Sequence, residues 1–222
     1  MSDLLLYFDN YFTALPWLEL IAMLLALAYI ILAAQGSLWC WPAALISTAL
    51  YTVIFYDVLL LMDSALNIYY LVMAVYGYLA WQKNTSISTA QNRPTKNAPL
   101  AIISWSGNRH LKICLILTIT SLVVGYIIAN YTPASFPYLD TFTTVFAVFA
   151  TYLVTQKVLE NWLYWVVIDA LSIYLYIEKG LIPTTVLFII YVIIAAYGYF
   201  KWLAIYRRSK VEQINLSTIV TG

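Results

Sequence analysis

Residues 35–81 read QGSLWCWPAALISTALYTVIFYDVLLLMDSALNIYYLVMAVYGYLAW, and residues 156–202 read QKVLENWLYWVVIDALSIYLYIEKGLIPTTVLFIIYVIIAAYGYFKW. Laid over each other at a constant offset of 121 positions, they share fourteen identities in forty-seven. The matches run from Gln35 on Gln156 and Leu38 on Leu159 through Trp41 on Trp162 and Tyr70 on Tyr191. They close with Tyr76, Gly77, Tyr78 and Trp81 on Tyr197, Gly198, Tyr199 and Trp202. Apolar composition alone does not place Tyr, Gly and Trp in one fixed order, so the match reads as an internal repeat. Each copy holds three apolar segments, and one further segment lies between the copies. Three spans plus one connecting helix return the chain to its starting side, so the two triplets point the same way. Parallel repeats of this kind are a transporter architecture, in which substrate binds near the bilayer midplane where the repeats meet.

Composition supports a membrane reading. Of 222 residues, 64% are hydrophobic and 9% charged, and the mean hydropathy is +0.84; soluble domains carry about 25% charge. A span takes roughly 20 apolar residues, which leaves room for about seven or eight and excludes a large soluble catalytic domain. A net charge of +1 argues against a nucleic-acid partner, which needs a concentrated basic surface. Cys40 and Cys114 sit in apolar runs, too few for a disulfide framework and without metal-site spacing. Neither a metal nor a cofactor is expected. The stretch before Trp17 contains Asp3 and Asp9 and no basic residue, unlike a cleavable signal, so the first apolar run reads as a permanent span.

Seven apolar segments follow, at about 17–34, 38–56, 60–81, 111–130, 138–155, 161–178 and 182–206. The expected class is therefore an all-α integral membrane protein with seven transmembrane helices in a 3+1+3 arrangement. Residues 1–82 form a first three-helix bundle, 83–110 a basic cytoplasmic loop, 111–137 a linker helix, 138–206 a second bundle and 207–222 a cytoplasmic tail. The loop holds Arg93, Lys96 and Arg109, flanked by Lys83 and Lys112, with no acidic residue. The positive-inside rule places it in the cytoplasm, the N terminus outside and the C terminus inside. Lys157, Lys201, Arg207, Arg208 and Lys210 then also fall inside, and Lys179 alone of the basic residues does not.

Polar residues at membrane depth mark the candidate site. In 161–178, Trp162, Trp165, Asp169, Ser172 and Tyr176 are spaced 3, 4, 3 and 4 apart and share one helix face. Asp169 lies about 12 Å into the helix at 1.5 Å per residue, near the midplane. An ionisable group there costs about 2.5–3.5 kcal/mol on insertion scales, and its default reading is a cavity-facing functional residue. No Lys or Arg lies at that depth in another span, so an external cation suits it; the competing reading is a protonated acid bonded to a nearby Ser or Tyr. In the third segment Asp63, Asn67, Tyr70, Ala74 and Gly77 form the matching stripe, answered in the seventh by Thr184, Phe188, Tyr191, Ala195 and Gly198. The second segment offers Trp41, Ser47, Thr48, Tyr51 and Thr52, with Thr48 at the repeat position of Asp169.

Aromatic faces attract cations by about 0.5–2 kcal/mol, so this set suits a flat cationic or electron-poor heterocycle. An enzyme is not expected, since the only histidine, His110, falls in the basic loop. Gly77 and Gly198, with Pro42 and Pro183 near span starts, are candidate packing or gating residues. As gates they imply that Gly198→Leu impairs transport more than binding.

The run Glu160-Asn161-Trp162 followed by Trp165, with the paired endings YGYLAW (76–81) and YGYFKW (197–202), resembles the PnuC family of bacterial vitamin transporters. The resemblance extends from about Glu19 to Trp202. It implies a fold similar to the SWEET sugar transporters and facilitated diffusion across the inner membrane, with trapping by an intracellular vitamin kinase. It also suggests a homo-oligomer such as a trimer, and places Asn161, Trp162 and Trp165 in the substrate site. Family members carry nicotinamide riboside, thiamine, riboflavin or deoxynucleosides. Nicotinamide riboside carriers of the family have Gln at the position of Asn67 and Asn at those of Asp169 and Ser47. These departures, and the thiazolium cation and donor aminopyrimidine of thiamine, make thiamine and the PnuT branch the first expectation. Nicotinamide riboside, itself a pyridinium cation, is the alternative, and a receptor or assembly subunit without transport activity the third reading.

Overall fold

The computed structural model describes residues 2–57, 61–90, 102–133, 135–178 and 182–221, and side-chain surroundings for 17–57, 64–82, 102–133, 135–178 and 184–211. Arg93 and Lys96 lie outside the described residues, as does Lys179; the side chains of Asp3, Asp9, Asp63, Lys83 and Pro183 do too. Seven α-helices are described: α1 (Ser2–Ala34), α2 (Cys40–Asp57), α3 (Leu61–Ala90), α4 (Gly107–Tyr131), α5 (Pro137–Thr155), α6 (Asn161–Glu178) and α7 (Ile182–Thr221). Pro42, Pro137 and Pro183 all fall in first turns, where the missing N–H has no intrahelical acceptor to lose. Over the described residues, α1, α4, α5 and α7 each contain a stretch long and apolar enough to cross a bilayer. Helices α2 and α6, which carry Ser47, Thr48 and Asp169, fall short of that measure.

Several boundaries differ from the sequence reading. Helix α3 continues to Ala90 and α4 starts at Gly107, so both ends of the expected 83–110 loop are helical and His110 sits in the first turn of α4. Helix α7 continues through most of the expected tail, to Thr221. Helix α4, the expected linker helix, belongs to the same compact unit as α5–α7 and packs along α5. Close approach there uses Gly125, since a Cβ on it would lie 2.8 Å from the Tyr138 ring.

The chain divides into two units, Met1–Lys83 and Asn84–Gly222. In the first, α1 packs on α2, and the Ser47 hydroxyl donates to the Ala22 carbonyl at 2.8 Å. The Ser64 hydroxyl of α3 donates to the Thr52 carbonyl of α2 at 2.9 Å. In the second unit α5 packs on α4 and α6, and α6 on α7, around a core of Phe146, Ala147, Ala150, Leu153, Val158, Tyr164 and Ile168. Without water as a competing solvent, such packing and interhelical hydrogen bonds are what hold helices together in lipid.

The turn after α1 and the turn after α5 close in the same way. Gly36 N–H donates to Ala33 O (2.9 Å) and Ser37 N–H to Leu32 O (2.9 Å); 121 residues on, Lys157 N–H donates to Val154 O (3.0 Å) and Val158 N–H to Leu153 O (3.0 Å). Both are Schellman caps, which place one left-handed residue just past the helix end. That residue is Gly36 (φ 71°) in the first and Lys157 (φ 55°) in the second. A left-handed residue with a Cβ costs about 1–2 kcal/mol, so Lys157 is held there against strain. Gly36→Ala is expected to lower stability by about 1–2 kcal/mol, read as a lower unfolding temperature in detergent; an unchanged temperature would contradict this account of the turn.

Candidate functional site

In the first unit a tryptophan is seated on a glycine. Trp41, in the first turn of α2, is 2% exposed, lies against Gly77 of α3 and meets Trp81 edge-on at 5.3 Å and 88°. Any side chain at Gly77 would occupy the space of the Trp41 ring. Deeper in α2, Thr48 donates to the Ala44 carbonyl at 2.8 Å, and Tyr51 stacks on Phe55 at 5.4 Å. Asn67 is half-buried, one helical turn from Tyr70, and Tyr70 lies 5.6 Å from Tyr69.

The second unit repeats the first arrangement. Trp162, 3% exposed, rests on Gly198, where a Cβ would lie 2.7 Å from the indole, and meets Trp202 edge-on at 5.5 Å and 89°. Its ring faces are therefore occupied by protein. Trp165 packs instead against the α5–α6 core, so the two indoles of the sequence stripe serve different neighbours. Tyr191 meets Phe188 at 5.4 Å, and Phe188 meets Tyr176 at 5.0 Å. The indole N–H groups of Trp41 and Trp162 and the side-chain oxygen of Asn161 are buried with no hydrogen-bond partner. Such groups cost about 1–3 kcal/mol each, and a bound polar molecule would offset that cost. The amide nitrogen of Asn161 donates to the Val158 carbonyl at 2.6 Å, which leaves the oxygen to accept.

Asp169 is 4% exposed. The nearby Ser172 hydroxyl donates to the Ile168 carbonyl at 2.9 Å, so it is not donating to the acid. No lysine, arginine or histidine forms an ion pair with Asp169 among the described residues. A buried carboxylate without a partner is an expensive arrangement and a natural counter-group for a cation.

One cluster was not foreseen. Residues 102–106 lie along the α5–α6 turn, where Ile103 N–H donates to Lys157 O at 3.1 Å and Leu159 N–H to Ile103 O at 2.8 Å. The Glu160 carboxylate accepts from the Ser104 hydroxyl at 2.5 Å and from the Trp105 N–H at 3.3 Å. His110 lies 3.5 Å from the same carboxylate and 2.9 Å from the Tyr164 hydroxyl, while Arg109 stacks over Trp105 at 3.4 Å. The signal available in the sequence was the apolar and aromatic run Ile102-Ile103-Ser104-Trp105 inside an otherwise polar stretch.

Apolar helices long enough to span, together with buried polar groups inside them, define a multi-pass membrane protein. The chain belongs to the nicotinamide mononucleotide transporter family, whose model matches residues 16–204. It is 25% identical over 211 residues to the nicotinamide riboside transporter PnuC of Escherichia coli strain K12, covering 85% of this chain and 86% of that one. The same transporter from Neisseria mucosa is 23% identical over 204 residues, covering 86% and 74%. Among solved structures, the crystal structure of the vitamin B3 transporter PnuC superposes with a TM-score of 0.69 at 20% identity, covering 86% of this chain and 83% of that one.

Gly198 is the seat of Trp162, so a side chain there acts on the indole directly. Gly198→Ala is expected to displace Trp162, at a cost of about 1–3 kcal/mol in stability, with a changed tryptophan emission spectrum and parallel loss of ligand binding and uptake. Loss of uptake with intact binding and emission would restore the gating reading.

Proposed function

We propose that this protein carries nicotinamide riboside, or a closely related cationic pyridine nucleoside, across the bacterial cytoplasmic membrane by facilitated diffusion, with intracellular phosphorylation retaining it. The observation that carries this reading is the match of residues 16–204 to a family named for nicotinamide mononucleotide transport, with the buried Asp169 as a counter-group that suits a cation. The relatives reported above are named for nicotinamide riboside or vitamin B3. None is named for thiamine, so the first sequence expectation gives way to the alternative. A pyridinium supplies the cation that Asp169 lacks, and its carboxamide and ribose can accept from indole N–H groups and donate to the Asn161 oxygen.

In this proposal Asn161, Trp162, Trp165 and Asp169 form the principal contacts. Tyr191 of the same unit adds an aromatic group, and Gly198 and Pro183 shape its helix; within the first unit Trp41, Ser47, Thr48, Tyr51, Asn67 and Tyr70 are the candidate polar and aromatic set, with Gly77 and Pro42 shaping its helices. The topology that fits is two three-helix repeats flanking α4, seven spans in all, with the N terminus outside and the basic C-terminal residues inside. A homo-oligomer is the assembly that goes with it.

Thiamine remains a second reading on one observation: it too is a cation, and its aminopyrimidine can donate to Asp169. Tryptophan-fluorescence titration of the purified protein with both vitamins tests the proposal. Saturable quenching is expected with nicotinamide riboside, weakened about tenfold in Asp169→Asn through loss of a charge-assisted contact. Quenching by thiamine alone would replace the substrate, and unchanged affinity in Asp169→Asn would remove the carboxylate from the site.

A further inference from the structure

The α5–α6 turn carries Asn161 and Trp162 directly into α6, yet it is built on a strained residue. Lys157 holds a left-handed backbone (φ 55°) where the first unit uses Gly36, so this turn needs support that its counterpart does not. The support comes from outside the turn. The Ile103 backbone bonds it on both sides, to Lys157 O and from Leu159 N–H. Glu160 then accepts from the Ser104 hydroxyl and the Trp105 N–H, with His110 3.5 Å from the same carboxylate. His110 in turn meets the hydroxyl of Tyr164, one turn further along α6 and part of the core. Among the described residues the first unit shows no equivalent, and the repeat position of Glu160 is Trp39, which is 73% exposed.

We propose that Glu160 is a positioning residue for the substrate site: it clasps the segment 102–110 onto the α5–α6 turn and so fixes the orientation of Asn161 and Trp162. Both oxygens of the carboxylate accept within the clasp. Preorganised contacts of this kind fix the geometry of the residues that bind. The inference rests on the proposed function only in taking Asn161 and Trp162 as binding residues; the clasp itself is a property of the ligand-free protein.

The test uses the full chain labelled with 5-fluorotryptophan, in wild type, Glu160→Ala, Glu160→Gln and Ser104→Ala. In the absence of ligand, the fluorine resonance of Trp162, assigned by Trp162→Phe, is expected to shift or broaden in Glu160→Ala and to recover towards wild type in Glu160→Gln, whose amide oxygen can accept from the Trp105 N–H while its NH2 donates to the Ser104 hydroxyl oxygen. Nicotinamide riboside affinity is expected to fall about tenfold in Glu160→Ala and less in Glu160→Gln. A Trp162 resonance unchanged in Glu160→Ala overturns the clasp. If Glu160→Ala does not fold, Ser104→Ala decides by the same resonance. A resonance that responds in a protein that binds no vitamin would overturn the proposed substrate while leaving the clasp in place; a resonance that responds with unchanged affinity would overturn the positioning role.

Discussion

The structure depends on a tryptophan ring laid on a glycine. In lipid there is no hydrophobic gain from pressing one apolar helix against another, so helices associate through close van der Waals contact and the few polar bonds they can make. Gly77 and Gly198 bring the backbone of α3 and α7 to the indoles of Trp41 and Trp162. Trp81 and Trp202 then close each contact edge-on, the arrangement that ring quadrupoles favour. The contact has a consequence for chemistry. It buries two indole N–H groups without acceptors, so the closely packed contact in each unit also presents a donor that a ligand can satisfy.

The two units share this contact and the cap that precedes it, and they differ where function is proposed. Gly36 is matched by Lys157, exposed Trp39 by the bonded Glu160, and Thr48, whose hydroxyl bonds its own helix, by the buried Asp169. Each change in the second unit replaces a neutral or flexible residue with a charged one. Strain at Lys157, a tethered carboxylate at Glu160 and a carboxylate at Asp169 with no ion-pair partner among the described residues are costs that packing alone does not require. They are concentrated within thirteen residues of α6 and its leading turn.

Much of this was legible in the sequence, for physical reasons. Helices are announced by long apolar runs, and the Tyr-Gly-Tyr and Trp matches at an offset of 121 anticipate the paired glycine seats. The 3, 4, 3, 4 spacing in α6 put Trp162 and Asp169 on one face, and both are buried. The spacing could not show that Trp162 turns to Gly198 while Trp165 turns to the α5 core, because periodicity gives a face and not a neighbour. Nor could it find the clasp, since Ser104 and His110 are brought to Glu160 across fifty or more residues. Charge counting placed His110 in a loop, and only the fold puts it beside Glu160 and Tyr164. Substrate choice was read from three departures at Asn67, Asp169 and Ser47. The Ser47 hydroxyl proves to be engaged with the Ala22 carbonyl, which weakens its weight as a specificity signal.

The central claim is that buried polar groups in an apolar helical chain carry a cationic vitamin through the membrane. Uptake of radiolabelled nicotinamide riboside into proteoliposomes containing the purified protein tests it most directly, with labelled thiamine in parallel. The account predicts saturable uptake of nicotinamide riboside that equilibrates without an imposed ion gradient and is competed by unlabelled nicotinamide riboside. Uptake no faster than in protein-free liposomes would contradict it.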